Sequence, residues 1–115
     1  MTTKRHPSLN YSHLIVECHD CPSETIDHRP TIRKVLRAAA ETCNLRILQV
    51  TIHRFRPQGV TAYALLRESH ISVHTWPENG FAVIDVMSCI GINREGLLTC
   101  FKRLFKPRRI AVREG

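Results

Sequence analysis

The stretch LRILQVTIHRFRPQGVTAYALL, residues 45–66, decides how the chain folds. Leu45 to Phe55 alternates, with β-branched residues at the positions where one face of a strand repeats. Pro57 and Gly59 then form a turn, and Val60 to Leu66 alternates again. Two alternating runs joined by about five residues read as an antiparallel hairpin.

Working outward, His70 to Thr75 and Phe81 to Met87 form a second strand pair, joined around Pro77 and Gly80. Upstream, HLIVEC (residues 13–18) reads as a short strand and HDCPSETIDHRP (residues 19–30) as a polar, proline-containing loop. The period then changes. Ile32, Val35, Leu36, Ala39 and Cys43 mark one stripe of an amphipathic helix, with Pro30 near its start and Asn44 at its stop. Downstream, Leu97, Cys100, Phe101, Leu104 and Phe105 mark a second helix, with Asn93 as its N-cap and Pro107 as its stop. RIAVR, residues 109–113, reads as a last short strand. The order predicts an α+β two-layer sandwich, a mainly antiparallel sheet with two helices on one face. A chain of 115 residues buries a modest core, so the other face calls for a second copy and a four-layer α/β/β/α dimer.

Composition narrows the classes further. The length and 43% hydrophobic content fit one globular domain, residues 1–115. The start, MTTKRHPSLNYSH, carries no hydrophobic segment for secretion, and no stretch is apolar and long enough to span a bilayer. Five cysteines, an odd number, then read as free thiols, and the protein is expected in the cytoplasm without a membrane partner. A net charge of +7 includes clusters at Arg54/Arg56 and at Lys102, Arg103, Lys106, Arg108 and Arg109. No nucleic-acid motif accompanies them, so they read as a solvated helix face rather than a nucleic-acid surface.

Several residue pairs invite chemistry and decline it. Cys18 and Cys21, with His13, His19 and His28 nearby, lack the second Cys or His pair of a structural zinc site, so no metal is expected. Cys43 and Cys100 lie on apolar helix stripes and read as core. His70 and His74 are four apart but lie in a strand pattern without the glutamate of a zinc protease. Ser69, His74 and Asp85 lack the glycine-flanked elbow of a serine hydrolase.

ESHISVHTWPENGFAVIDVMSC, residues 68–89, is different. It resembles the processing and active-site segment of the prokaryotic S-adenosylmethionine decarboxylase proenzymes, and HRFRPQGV, residues 53–60, is similar to the family stretch just upstream. The resemblance runs in order from about His13 to Val112. It implies that the Ser69 hydroxyl attacks the carbonyl of Glu68, that the chain breaks between them into residues 1–68 and 69–115, and that Ser69 becomes a pyruvoyl group. Such a ketone forms a Schiff base with an amino-acid substrate and delocalises the charge left when CO2 departs. By resemblance His74 serves processing, Cys89 donates a proton to the substrate carbon, Phe55 stacks on the adenine, and Glu78 contacts substrate. Thr61 stands where the family usually has a serine that assists processing, as part of Gly59-Val60-Thr61-Ala62.

The implied activity is decarboxylation of S-adenosylmethionine for polyamine (spermidine) synthesis. Substitutions at Arg56, Gln58 and Arg67 leave arginine or ornithine as alternative substrates, and an unprocessed, non-catalytic partner subunit as the alternative outside enzymes. Ser69 and His74 differ by an odd number, so a regular strand points them to opposite faces. A bend near Ser69 is therefore expected. In the absence of the longer motif, Glu68 and His70 would read as polar residues of an edge strand.

Overall fold

Residue-level preferences decide where each element begins and ends in the computed structural model, which describes residues 10–115. Residues 1–9, most of the N-terminal stretch read above for a secretion signal, lie outside the described residues. Strand β1 spans Ser12–His19, followed by a four-residue helix α1, Ser23–Ile26, and the long helix α2, Arg29–Thr42. Pro30 occupies the first turn of α2, where its missing N–H costs nothing. The helix ends as Asn44 takes a left-handed backbone, φ 58°. Strands β2 (Ile47–Arg54), β3 (Val60–Leu66), β4 (Ser69–Trp76) and β5 (Phe81–Ser88) follow, with a 3-10 turn at Pro77–Asn79. Helix α3 is Arg94–Phe105, capped by the Asn93 side chain accepting from the Gly96 N–H, and β6 is Arg109–Glu114.

The six strands form one antiparallel sheet in the order β2-β3-β4-β5-β1-β6. Alternation sets its two faces. Ala62 and Ala64 of β3, Ile71 and Val73 of β4, Ile84 and Val86 of β5, and Val16 and Cys18 of β1 join a single core with Ile32, Val35, Leu36 and Ala39 of α2 and Leu97, Phe101 and Phe105 of α3. The intervening residues, Thr61, Tyr63, Leu65, His70, Ser72, His74 and Trp76, line an open face that no helix covers among the described residues. Tyr63 and Leu65 are 42% and 44% exposed there.

Four expectations need correcting. The stretch read as a loop at residues 19–30 contains α1, so among the described residues three α-helices rather than two accompany the sheet. Cys100 is only partly buried, its thiol 3.2 Å from Thr42 Oγ1. The strand containing Ser69 also does not bend: β4 pairs residue by residue with β3 from Ser69↔Leu66 to Thr75↔Val60, without a shift. The turn lies one residue earlier, at Glu68, φ 57°. Nor is β4 an edge strand, since it sits between β3 and β5.

The hairpin between β2 and β3 is tied to the helical layer by Asp27. Its Oδ2 accepts from Arg54 Nη2 at 2.7 Å and its Oδ1 from the Gly59 N–H at 2.9 Å. Burial alone would raise the Asp27 pKa, but these two donors outweigh it and hold the carboxyl below the usual carboxylate range. A depressed folded-state pKa means that the unfolded chain binds the proton first. The stabilisation is therefore fully present above the unfolded value of about 3.9 and is lost as pH falls through the lower folded value. Urea unfolding of Asp27→Asn and wild type should differ clearly at pH 7 and converge as pH drops below about 4. A gap that persists unchanged into that acid range would exclude the ionised pair as its source.

Candidate active site

The residues singled out in the sequence gather into two groups. In the first, β4 and β5 run antiparallel with His70 opposite Met87, which carries the end of β5 past the start of β4. Cys89, the residue after β5, therefore lies beside Ser69. Its backbone N–H donates to Ser69 Oγ at 3.2 Å, and its thiol donates to the carbonyl oxygen of Glu68 at 2.8 Å. One residue thus holds both the hydroxyl and the carbonyl of the 68–69 peptide bond. Arg67 and Glu68 make the two-residue connection from β3 to β4, and positive φ at the second of them is a place that favours Gly or Asn. Glu68 takes the left-handed conformation there without being glycine, at a cost of roughly 1–2 kcal/mol. A cavity of about 280 Å³ opens beside this bond, lined by Asn44, Leu45, Arg46, Ser69 and Cys89 among others.

The second group stands at the other end of β4. Thr61 and His74 are register partners on the open face, and Thr61 Oγ1 lies 3.2 Å from His74 Nδ1. They line a pocket of about 270 Å³ together with Phe55, Gln58, Trp76 and Glu78. Aromatic rings crowd this end of the sheet: His53 and Phe55 are 4.6 Å apart edge to face, and Trp76 lies 5.7 Å from Phe81. Phe55 and Glu78, far apart in sequence, thus belong to one recess because the β2–β3 turn and the residues after β4 meet at the same end.

Ser69 and His74 are five steps apart along an unbroken strand, roughly 17 Å at the usual rise. They also face opposite sides. Within one chain the structure does not bring the serine and the histidine together.

The structure adds a cluster that the sequence did not disclose. On the open face Asp85 Oδ1 is 2.7 Å from His13 Nε2 and 3.6 Å from His70 Nε2. Register explains it: His13 and His70 both lie opposite Met87, one pair along from Asp85 on the same face. Asp85 therefore pairs with these histidines and not with His74, contrary to a hydrolase-like triad. The thiol of Cys21 donates to the backbone carbonyl of Cys18, and both side chains are buried. The Cys21 contact and burial together push the Cys18 thiol far up, so it stays protonated. His19 turns instead to Glu17 and His28 to Thr31.

One six-stranded antiparallel sheet, with a serine and the preceding carbonyl both contacted by a single cysteine, is the arrangement to set beside known proteins. The family model described as S-adenosylmethionine decarboxylase matches residues 12–115, and the chain belongs to that family. It is 38% identical over 101 residues to the S-adenosylmethionine decarboxylase proenzyme of Methanococcus aeolicus, covering 87% of this chain and 86% of that protein. It is 47% identical over 77 residues to the proenzyme of a Synechococcus species, covering 67% and 60%. The crystal structure of the adenosylmethionine decarboxylase from Aquifex aeolicus superposes with a TM-score of 0.79 at 30% identity, over 91% of this chain and 88% of that one.

Cys89 is exposed whereas Cys18, Cys21 and Cys43 are buried and Cys100 is partly so. In the uncut Ser69→Ala chain a thiol reagent should therefore label one site well ahead of the rest, and peptide mapping should place it at Cys89. Equal labelling of Cys89 and Cys43 in the folded chain would contradict the arrangement.

Proposed function

We propose that the chain is a proenzyme that cuts itself between Glu68 and Ser69 and then decarboxylates S-adenosylmethionine. The observation that carries this reading is the double contact of Cys89 with Ser69 Oγ and the Glu68 carbonyl oxygen. When Ser69 Oγ attacks the Glu68 carbonyl carbon, negative charge builds on the oxygen that already faces the Cys89 thiol. A donor waiting at that position lowers the barrier without reorganising. Collapse breaks the C–N bond and leaves an ester, and loss of the Ser69 Cα proton expels the Glu68 carboxylate as residue 68 becomes a new C-terminus. Hydrolysis of the dehydroalanine releases ammonia. Relief of the left-handed backbone at Glu68 favours the cut.

Proton movement needs a base, and His74 has the right preparation. Thr61 engages Nδ1, which leaves Nε2 as the working nitrogen. A second copy supplies the missing proximity. If two open faces pack about a twofold axis lying across the strands near the Tyr63–Ser72–Asp85 row, the Ser69 end of one β4 comes over the His74 end of the other, and the imidazole approaches residue 69 from the side opposite its Oγ, where it can take the Cα proton. The half-exposed Tyr63 and Leu65 become buried, and four layers, α/β/β/α, result. Each site is then shared between two chains.

The residues fit the cofactor that the family implies, since Ser69 is poised at a strained peptide bond beside a cavity. A pyruvoyl group at position 69 would supply a ketone that acts as an electron sink for CO2 loss. Around it this chain's own groups have separate tasks. Phe55 and Trp76 offer flat faces for a purine. Glu78 offers a carboxylate to hydroxyl or amino groups of the substrate. Cys89, released from the Glu68 carbonyl after cleavage, keeps a thiol next to position 69 to return a proton to the substrate carbon. The product would serve polyamine (spermidine) synthesis, and five free thiols suit a reducing cytoplasm.

Purified wild type should resolve by denaturing mass spectrometry into residues 1–68 and a pyruvoyl-capped 69–115, while Ser69→Ala remains one chain. Cys89→Ala should cut at least about tenfold more slowly, because it loses the donor to the developing oxyanion. Carbon dioxide release measured in parallel on S-adenosylmethionine, arginine and ornithine should favour the first. A wild-type chain that stays intact through long incubation would sink the proenzyme reading, and release from arginine alone would move the substrate.

A separate expectation concerns assembly. Sedimentation of processed protein should give a dimer at micromolar concentration, and Tyr63→Glu, which places charge on the open face, should shift it to monomer. A fully active monomer would contradict the shared site.

A further inference from the structure

The wall of the aromatic pocket is the loop of residues 55–59, and little of that loop is packed. Phe55 is 46% exposed, and Arg56, Pro57 and Gln58 are exposed as well. A loop so placed moves unless it is tied down. Three hydrogen bonds to one residue do the tying. Asp27 Oδ1 accepts from the Gly59 N–H at 2.9 Å, Asp27 Oδ2 accepts from Arg54 Nη2 at 2.7 Å, and the Asp27 carbonyl oxygen accepts from Arg54 Nε at 3.2 Å. One carboxylate thus holds both ends of the hairpin connection, Arg54 before it and Gly59 after it. Arg54 also donates to the Pro57 carbonyl at 3.3 Å, and the Phe55 N–H donates to the Gly59 carbonyl at 2.8 Å, so the tie extends into the loop. Gly59 has φ 101°, which a side chain would strain, and its backbone lines the pocket.

Asp27 is itself anchored. It follows the fully buried Ile26 and lies between α1 and α2, five residues before the fully buried Ile32. The carboxylate therefore refers the pocket wall to the helical layer rather than to another mobile segment.

We propose that Asp27, with Arg54, is a positioning residue for substrate binding: a clamp that fixes Phe55 and the 55–59 wall in the orientation that receives the substrate's flat ring. The inference rests on the decarboxylase reading for the identity of that ring. Asp27 reaches the pocket only through the Gly59 backbone and Arg54, so it contributes to affinity by reducing the ordering cost of the wall. Thr61 and His74 line the same pocket but are held by the β3–β4 pairing and by their own contact rather than by the 55–59 wall, so self-cleavage is expected to depend little on the clamp.

The test pairs kinetics with amide exchange on Asp27→Ala, Asp27→Asn and Arg54→Ala. Asp27→Ala should raise KM for S-adenosylmethionine about tenfold, the size expected for losing charge-assisted hydrogen bonds. Its kcat and its rate of self-cleavage should stay within about twofold of wild type. The Gly59 amide should exchange faster while the amides of β3 and β4 keep their protection. Asp27→Asn, which retains an acceptor for Gly59 and loses the charge facing Arg54, should fall between the two, and it carries the test if the alanine variant does not fold. An unchanged KM in a folded variant overturns the proposal, and so does a joint fall of KM-independent turnover, cleavage and β3–β4 protection, which would mark a general loss of structure. If wild type turns over no S-adenosylmethionine, the decarboxylase reading fails instead, and Gly59 exchange together with emission from Trp76, the single tryptophan and a pocket residue, still decides whether Asp27 holds the wall.

Discussion

The unbroken antiparallel register of β4 is the constraint on which the rest depends. With β3 on one side and β5 on the other, every residue from Ser69 to Trp76 has its face fixed, because a slip of one residue would turn the whole core set outward. Ile71 and Val73 must enter the core, so Ser69 follows them to the helix side and His74 is left on the open side. The separation of the two chemical groups is therefore a consequence of core packing. The same register aligns Cys89 with Ser69 and Thr61 with His74, so each half of the site is well formed although the halves stand apart.

Much of this architecture was legible because the sequence alternates cleanly. The hairpin at residues 45–66, the apolar stripes of α2 and α3, and the cap at Asn93 each match a local physical preference, and β3 runs over the residues read for it. The helix at Ser23–Ile26 was not legible, since four residues carry too little periodicity to stand out from a polar loop. The resemblance assembled the site residues but not their geometry. Odd spacing between Ser69 and His74 pointed to opposite faces, and a bend was expected to reunite them. The bend is absent because β4 has partners on both sides, which a sequence pattern alone does not reveal. The same lack of pairing information hid the His13–Asp85–His70 cluster and the Asp27 clamp, whose members are separated by many residues and meet only through strand order.

Energetics favour an assembly that covers the open face. A standard interface hides about 800 Å² per partner, close to a tenth of the 7261 Å² that one chain exposes. Tyr63, Leu65 and Trp76 lie half-exposed on that face, and burial of such side chains contributes roughly 1.5–3 kcal/mol each when complete. The His13–Asp85–His70 group sits among them, and the Asp85 carboxylate must keep its histidine partners when water is excluded. Several basic residues lie elsewhere, with Arg33, Lys34 and Arg37 exposed on α2 and Lys102 and Arg103 on α3, while Arg113 of β6 shares the side of Glu17, 4.0 Å from its carboxylate, so part of the repulsion between two positive chains is kept to the outer layers.

Sharing of the site between chains is the central claim, and mixed dimers address it directly. Ser69→Ala and His74→Ala chains, each stable against cutting alone, would be expressed together, with a mass tag distinguishing them. In a mixed dimer one site joins the intact Ser69 of the His74→Ala chain to the intact His74 of its partner. The account predicts that the His74→Ala chain is then cut between Glu68 and Ser69 while the Ser69→Ala chain stays whole. Mixed dimers in which neither chain is cut, although wild type is cut under the same conditions, would place serine and histidine in one chain and contradict the arrangement.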